Sequence, residues 1–303
     1  MSKPRVHCLG EAMLELSAPC LGAATLSFGG DTLNTALYLA RLGLPTGYAS
    51  AMGDDPYSAE VLAAWESEGV GTAAVARLPG ALPGLYAIRT DARGERSFAY
   101  WRDNSAARQI WRHPQRADWL ARVLDCDWLH LSGITLAIAG EDGRAALLAA
   151  LPAAKARGLR LSFDSNYRPR LWPDVPTTRT AYEAILRFAD LSLPGFEDEE
   201  PLFGAEDAAA LIARHRAYGV AEVVLKAGGP RAWVAADGAA PVLVEGAAVT
   251  PVDTTAAGDS FAAGYLAARL TGAMAPEAAL AGHRLASVVI QHPGAIIPQS
   301  AMP

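Results

Sequence analysis

The stretch WLHLSGITLAIAGEDGRAALLAALPAAKARGLRLSF, residues 128–163, decides which class of fold the chain adopts. Residues 128–131, WLHL, predict a buried strand, and residues 160–163, RLSF, predict another strand. Between them, residues 141–157 are rich in alanine and leucine and predict a helix. Two strands joined by a helix normally lie parallel in one sheet, so this stretch predicts an α/β fold.

The same alternation continues on both sides of this unit. Asp31 is the expected N-cap of the first helix, and Gly43 is its expected stop. The other predicted elements are strands at 5–9, 190–193, 221–226 and 249–252, and helices at 31–42 and 258–270. This order predicts a mostly parallel central sheet with helices on both faces.

One region departs from the alternation. Residues 84–101 read GLYAIRT, a polar turn and ERSFAYW, which predicts a β-hairpin. Residues 11–28 supply further strands beside this hairpin. Because no Pro/Ser-rich linker or internal repeat interrupts the chain, we predict a single domain over 1–303. A small β-sheet lid, formed by about 11–28 and 84–101, would cover its ligand cleft.

Composition excludes several classes of protein. The net charge is −6, so no basic excess is available to neutralise nucleic-acid phosphates or an anionic membrane. Cys8, Cys20 and Cys126 are widely spaced and form no metal-binding motif, which is typical of reduced thiols. The N-terminus lacks the apolar core of a secretory signal, and the apolar runs are shorter than the ~20 residues of a membrane span. We expect a cytoplasmic protein without nucleic-acid or membrane partners.

The strongest motif is PVDTTAAGDSF at residues 251–261. Ala256, Ala257 and Gly258 have almost no side chain, so an anion can approach the backbone amides at the helix start. Asp259 lies at the same helix start and could accept a proton from an attacking hydroxyl group. An aspartate here is also an ordinary first-turn residue, but a structural cap needs no preceding run of small residues.

A second motif, FGGDTLNTA at residues 28–36, precedes the first helix. Gly30 allows a ligand close to the backbone, and Asp31 and Asn34 share a helix face from which they could bind sugar hydroxyls. A glycine turn followed by an aspartate N-cap with no functional role would have the same sequence pattern. The second motif therefore gains its functional meaning from the first.

Two arginines indicate an acidic substrate. Arg102 follows the predicted hairpin, and Arg168 follows a predicted strand in the run DSNYRPRLW, residues 164–172. Ligands gather at the carboxyl ends of strands in α/β sheets, where two arginines can hold a carboxylate. Taken alone, each arginine is more often a surface ion-pair partner than a ligand-binding residue.

These motifs carry a family resemblance. Residues 253–259 resemble the Asp-Thr-x-Gly-Ala-Gly-Asp signature of ribokinase-like (PfkB-type) carbohydrate kinases, with Ala256 at the position of a glycine. Residues 29–36 resemble the second signature of that family. The whole chain resembles its 2-keto-3-deoxygluconate kinase branch, most clearly at 10–16, 100–102, 166–172 and 290–298. The resemblance implies a ribokinase-like three-layer α/β/α fold.

The resemblance also implies roles for individual residues. Asp259 would be the general base, and residues 256–258 would form the anion hole. The sugar acid would be phosphorylated at its terminal hydroxyl. The residues implied to bind it are Gly30, Tyr86, Tyr100, Arg102 and Arg168. The residues implied to bind ATP are Asn166, Lys226, Ala227, Gly228 and Gly229.

Magnesium is expected together with ATP. Many members of the family carry an Asn-x-x-Glu motif that organises metal and phosphate. Here Gly195 stands at the Asn position and Asp198 at the Glu position, so Asp198 is the candidate metal residue. A solvated acidic helix start would look the same. A requirement for a monovalent cation stays open, and we expect a homo-oligomer, with the lid as one route to it.

Other functions stay open at this point. A kinase of the same fold could act on fructose, ribose or a nucleoside, and the set Tyr100, Arg102 and Arg168 would separate it from a sugar-acid kinase. A non-catalytic sugar-binding protein would not need the small residues before Asp259. A dinucleotide-dependent enzyme would need an N-terminal GxGxxG motif, which the segment after Gly10 does not supply.

Overall fold

The computed structural model describes residues 3–20, 22–90, 96–205 and 207–303. Its strands are β1 (Val6–Leu9), β2 (Met13–Cys20), β3 (Ala23–Gly29), β4 (Thr46–Met52), β5 (Val70–Gly71), β6 (Val75–Arg77), β7 (Gly84–Thr90), β8 (Arg96–Trp101), β9 (Trp128–Ser132), β10 (Arg160–Asp164), β11 (Leu191–Leu193), β12 (Glu222–Lys226), β13 (Arg231–Ala235) and β14 (Val242–Glu245).

Its α-helices are α1 (Asp31–Arg41), α2 (Pro56–Ser67), α3 (Ala106–Gln109), α4 (Arg116–Val123), α5 (Gly133–Ala156), α6 (Val175–Leu186), α7 (Phe196–Phe203), α8 (Ala208–Ala217), α9 (Ala257–Leu270) and α10 (Ala275–Val289). Short 3₁₀ segments occur at Ile110–Arg112, Pro169–Leu171 and Gln299–Ala301. In the described part of the chain, no helix is long and apolar enough to cross a bilayer.

The central sheet has the strand order β14-β13-β12-β11-β10-β9-β1-β4-β5, with β6 also paired to β4. Its pairs are parallel from β12 through to β5, whereas β13 and β14 are antiparallel. The α/β prediction is therefore confirmed. Parallel pairing brings the carboxyl ends of the strands to one edge, where α/β proteins bind ligands.

Apolar side chains alternate across this sheet and form two separate cores. Leu131 and Phe163 belong to the core under α4, α5, α6 and α8. Val6, Cys8 and Leu193 belong to the core under α1, α2, α9 and α10. Strands buried on both faces need helices on both sides, and this produces three layers, α/β/α.

The second sheet has the order β3-β2-β7-β8 and is called the lid below. The pairs β2–β3 and β7–β8 are antiparallel, and β2–β7 is parallel. The predicted strands within 11–28 and 84–101 are thus confirmed. The predicted turn between β7 and β8 falls on residues 91–95, which lie outside the described residues.

Three predictions about single elements were wrong. Residues 249–252 form no strand; Val252 donates its amide to the carbonyl of Ile290, and the last strand of the sheet is β14. Asp31 is not an N-cap, because Gly30 holds that position and makes no side-chain cap. The helix predicted from residue 141 begins at Gly133, since Ser132 caps it, and it is interrupted at Gly140, where φ is 66°.

Candidate active site

A cavity of about 1680 Å³ opens over the carboxyl edge of the central sheet, beside the lid. All but one of the predicted site residues line it. Those residues are Gly30, Asp31, Asn34, Tyr86, Tyr100, Arg102, Asn166, Arg168, Asp198, Lys226, Gly228, Gly229, Ala256, Ala257, Gly258 and Asp259. The exception is Ala227, whose amide donates to the carbonyl of Arg231 at 2.9 Å.

The start of α9 is a backbone cradle formed by residues 256–259. Ala256 is the N-cap in the left-handed region, with φ 60° and ψ 16°, and no side chain caps the helix. A non-glycine residue in this region costs roughly 1–2 kcal/mol. Because the amides of Gly258 and Asp259 belong to the first turn, they have no acceptor within the helix. Together with the helix dipole they favour an anion at this point.

Asp259 lies in this first turn and is held by α1. Asn34 donates its side-chain amide to Asp259 Oδ2 at 2.8 Å, and Thr35 donates its hydroxyl to the Asp259 carbonyl at 3.2 Å. Burial raises the pKa of Asp259 to about 8, with further increases from the charges of Asp31 and Asp164. A carboxyl group with such a pKa can exchange a proton near neutral pH.

Asp31 lies in the first turn of α1 and has other partners. Its Oδ2 accepts from the hydroxyl of Ser132 and, at 2.9 Å, from the side-chain amide of Asn166. Asn166 has φ 28°, and its own amide donates to Asp164 Oδ1 at 3.1 Å. Asp31 and Asn34 thus line one cavity but bind different groups, so they do not act as the simple pair that their spacing suggested.

Lys226, the last residue of β12, brings a cation to the cradle. Its Nζ lies 2.9 and 2.7 Å from the two carboxylate oxygens of Asp164. A Cβ built on Gly258 would lie 3.6 Å from the same Nζ. Burial alone would lower the pKa of Lys226, but the charges of Asp164 and Asp198 raise it overall. Lys226 therefore stays protonated beside the anion-binding backbone.

Asp198, in the first turn of α7, is already well connected. Its Oδ2 accepts from the Ser165 hydroxyl at 3.2 Å, and its Oδ1 accepts from the Tyr167 amide at 3.1 Å. Burial raises the pKa of Asp198 above the ordinary value of a carboxyl group. Within the described residues, no group of three or more His, Cys, Asp or Glu side chains could hold a metal ion. Asp198 could therefore only supplement ligands from elsewhere.

The lid side of the cavity carries aromatic rings and one buried guanidinium. Tyr86 and Tyr100 are stacked with their ring centroids 6.1 Å apart. Arg102 is buried and donates through Nε to Glu11 Oε2 at 2.8 Å. Arg168 lies across the cavity wall with a largely exposed side chain, 3.4 Å from Asp198. The two predicted arginines therefore differ in their surroundings: Arg102 is buried in an ion pair, whereas Arg168 is largely exposed and donates to the Tyr167 carbonyl at 2.8 Å.

The sequence motifs did not indicate one end of the cavity. Small and apolar residues of α10 and of the segment before residue 252 line it, and they resemble ordinary helix and loop residues. They are Ala247, Ala248, Val249, Pro251, His283, Ala286, Ser287 and Ile290. The ion pair of Asp164 with Lys226 was also missed, although an aspartate directly after a buried strand is a usable signal.

The first-turn amides of α9, the buried carboxyl group of Asp259 and the Lys226 ammonium lie together at the edge of a parallel sheet, an arrangement suited to phosphoryl transfer. Comparison with known proteins supports this assignment. Residues 3–302 match the family described as pfkB family carbohydrate kinase. The chain belongs to this family, so it is a carbohydrate kinase that transfers a phosphoryl group to a sugar hydroxyl.

Two relatives match along their whole length. The 2-dehydro-3-deoxygluconokinase of Dickeya dadantii is 45% identical over 312 residues, and that of Escherichia coli is 44% identical over 311 residues. Each match covers 100% of this chain and 100% of the relative. Among solved structures, a proposed Ribokinase II from E. coli in complex with ATP and Mg²⁺ has a TM-score of 0.83 and 25% identity, covering 100% of this chain and 96% of that one.

Proposed function

We propose that the chain transfers the γ-phosphoryl group of ATP to the terminal hydroxyl of 2-keto-3-deoxygluconate and so forms the 6-phosphate. The main support is that one cavity is lined both by the cradle with Asp259 and by the lid residues Tyr86 and Arg102. Phosphoryl transfer needs the donor and the acceptor in line within one such space. The activity named for the full-length relatives is the same.

In the proposed step, Asp259 accepts the proton of the terminal sugar hydroxyl. The hydroxyl oxygen forms a bond to the γ-phosphorus while the bond from that phosphorus to the bridging oxygen of ADP breaks. ADP leaves with the electron pair of the broken bond, and Asp259 later releases its proton to solvent. The Asn34 amide, 2.8 Å from Asp259 Oδ2, would orient the carboxylate for this transfer.

The moving phosphoryl group carries its charge on its equatorial oxygens. The amides of Gly258 and Asp259 would donate to these oxygens, and the Lys226 ammonium would compensate their charge. Asp31, Asp164 and Asp198 line the same cavity, so without Lys226 the wall would repel a triphosphate.

Mg²⁺ would accompany ATP, where it neutralises phosphate charge. Mg²⁺ keeps several water ligands and binds few protein carboxylates. Asp198 would supply one such carboxylate from the cavity wall, where its oxygens accept hydrogen bonds from Ser165, Tyr167 and Arg168. A monovalent cation is part of the proposal only as an activator, and dialysis against sodium-free and potassium-free buffer followed by an activity assay tests it.

Recognition of the sugar carboxylate is assigned to Arg102 and Arg168. Loss of Arg168 in an Arg168→Ala variant should raise the KM for the sugar acid about tenfold, because a charged hydrogen bond is worth ~1.5–3 kcal/mol and this side chain is partly solvated. The kcat should stay the same. Arg187, which stacks on Tyr218 at 5.3 Å, provides the matched control Arg187→Ala.

A coupled ADP-release assay over a panel of sugar acids and neutral sugars tests the proposal as a whole. The expected result is a kcat/KM for 2-keto-3-deoxygluconate above that for fructose and ribose. A neutral sugar that is phosphorylated better would refute it. A kinase of neutral sugars is not favoured, because the full-length relatives at 44–45% identity are 2-dehydro-3-deoxygluconokinases.

The setting of the enzyme is also proposed: the cytoplasm, as a homo-oligomer formed through the lid. Apolar side chains on the lid strands support the oligomer, since Leu26 and Trp101 are 46% and 59% exposed. Exposed apolar patches of this kind often mark protein interfaces. A monomer mass by light scattering at micromolar concentration would refute this part alone.

A further inference from the structure

The chain passes between the central layers and the lid four times, and these crossings meet at one residue, Glu11. Glu11 lies on the first crossing, between β1 and β2, and its side chain is shielded from solvent. The second crossing is at residues 29–30 between β3 and α1, and the third is at 81–84 before β7. The fourth, at 102–105, joins β8 to α3.

Each of the other crossings contacts Glu11. Arg102 donates through Nε to Glu11 Oε2 at 2.8 Å and through Nη2 to the same oxygen, and Ser105 donates its hydroxyl to Oε1. A Cβ on Gly84 would lie 3.0 Å from Glu11 Oε1. A Cβ on Gly30 would lie 2.4 Å from the Glu11 carbonyl oxygen, so these two crossings pass too close for a larger residue.

The ion pair is buried, with Arg102 only 8% and Glu11 only 1% exposed. A buried pair often contributes little net stability compared with apolar residues, but removing one partner costs about 3–5 kcal/mol. Stability is therefore a weak reason for having the pair at all. Arg102 also lines the cavity, and the pair uses its Nε and Nη2, which leaves Nη1 for an acceptor there.

We propose that Glu11 is a positioning residue for the selection of sugar acids: it holds Arg102 where the lid joins the central layers, so that the guanidinium stays directed at the substrate carboxylate. This inference rests on the proposed function, in which Arg102 binds that carboxylate. Glu11 acts through Arg102 and does not touch the sugar.

The test uses a Glu11→Gln variant and two substrates, 2-keto-3-deoxygluconate and its methyl ester, which differ in the carboxylate charge. The KM for the acid should rise about tenfold, the value of one charged hydrogen bond. The KM values for the ester and for ATP should stay within about twofold, so the acid-over-ester ratio of kcat/KM falls about tenfold. In an Arg102→Gln background, adding Glu11→Gln should change the KM for the acid less than about twofold, because Glu11 acts through the Arg102 guanidinium and that group is absent.

Glu68→Gln is the matched control. Glu68 accepts from Arg41 at 2.7 and 2.8 Å in another part of the chain, away from the cavity, so its loss should reduce stability and leave the acid-over-ester ratio unchanged. Ser105→Ala serves if Glu11→Gln does not fold. It keeps the ion pair and removes one hydrogen bond to Glu11, and we expect the ratio to fall about threefold.

The outcomes separate this inference from the proposed function. If Arg102→Gln abolishes the preference for the acid while Glu11→Gln and Ser105→Ala retain it, the positioning role is wrong and the proposed function stands. If Arg102→Gln retains the preference, the assignment of Arg102 is wrong and the positioning role with it. A lower KM for the acid in Glu11→Gln would mean that Glu11 competes with the substrate for Arg102, which also overturns the positioning role.

Discussion

The two helices that begin at the cavity, α1 and α9, pack against each other but start differently. Gly30, the N-cap of α1, has an extended backbone, and Ala256, the N-cap of α9, has φ 60°. Neither N-cap residue forms a side-chain cap, and each helix has an aspartate in its first turn, Asp31 and Asp259. Both helices therefore place an aspartate at the same kind of position.

Their neighbours give the two aspartates different chemistry. Asp31 Oδ2 accepts from both Ser132 and Asn166, so Asp31 is tied to the neighbouring strand ends. Asp259 accepts from the Asn34 side chain, and burial together with nearby carboxylates raises its pKa to about 8. A helix start supplies the place for a carboxylate, whereas burial and the surrounding charges decide whether it can act as a base.

The largest expected effect is that of Asp259→Asn, which removes the ionisable carboxyl group at the start of α9. Without the base, kcat should fall about 10³-fold. Stability should rise: the folded pKa of about 8 exceeds the ordinary ~3.9, so the stability from this group is present at low pH and lost as pH rises toward 8. Urea unfolding at pH 8 should show a gain on the order of 1–2 kcal/mol.

A kcat of Asp259→Asn within tenfold of wild type would refute the role of Asp259 as base. The gain in unfolding free energy of Asp259→Asn over wild type should be larger at pH 8 than at pH 5. An equal gain at both pH values would refute the raised pKa of Asp259 independently of the kinetic result. Both measurements use the same protein preparation.

Lys226→Met should have the next largest effect, about 100-fold on kcat, since a charged contact to the migrating phosphoryl is worth up to ~3 kcal/mol. The Lys226 charge lowers the pKa of Asp259, so its removal should move the acid limb of the kcat/KM profile to higher pH. Lys155→Met is the control, because Lys155 pairs with Asp190 away from the cavity. A profile shifted to lower pH would contradict the placement of Lys226 beside Asp259.

Asp31→Asn tests the other helix start. The charge of Asp31 raises the pKa of Asp259, so its removal should shift the acid limb to lower pH, by up to about one pH unit. At pH 9, where Asp259 is mostly ionised in both proteins, kcat should stay within about tenfold of wild type. A kcat loss as large as that of Asp259→Asn would remove the distinction between the two aspartates.

Ala256→Gly has the smallest expected effect. Glycine relieves the backbone strain of φ 60°, which is worth roughly 1–2 kcal/mol. It also increases the conformational entropy of the unfolded chain, which lowers the free energy of unfolding by about 0.4–1 kcal/mol. The net gain in unfolding free energy should be about 1 kcal/mol or less, with kcat within about threefold. Ala257→Gly is the control: Ala257 is not among the residues with positive φ, so glycine there should destabilise the protein. A loss of stability in Ala256→Gly would contradict the left-handed N-cap.

Much of the fold could be predicted because its signals are local. The strands at 128–131 and 160–163 follow from short segments with large apolar side chains on either side of a helical stretch. The helix starting near residue 258 follows from the small residues before it. The strand predicted at 249–252 was wrong because a four-residue segment with two valines does not distinguish a strand from a loop. Pro251 within that run lacks an amide donor, and Val252 is 67% exposed.

For the site, the residue types were predictable and their partners were not. The small residues before Asp259 indicated an anion cradle by themselves. Nothing local indicated that Asn34, far away in the sequence, would donate to Asp259, or that Glu11 would hold Arg102. The α10 residues of the cavity also lack a motif, because their contribution is a surface shape.

By itself, the sequence determined the layered α/β class, the lid strands and the positions where a phosphoryl group could meet a base, since these depend on periodicity, small residues and helix termini. The raised pKa of Asp259 and the fixed position of Arg102 followed from the folded arrangement of the chain. The reason is that burial and the charges of neighbouring side chains set these properties, and those neighbours come from distant segments of the chain.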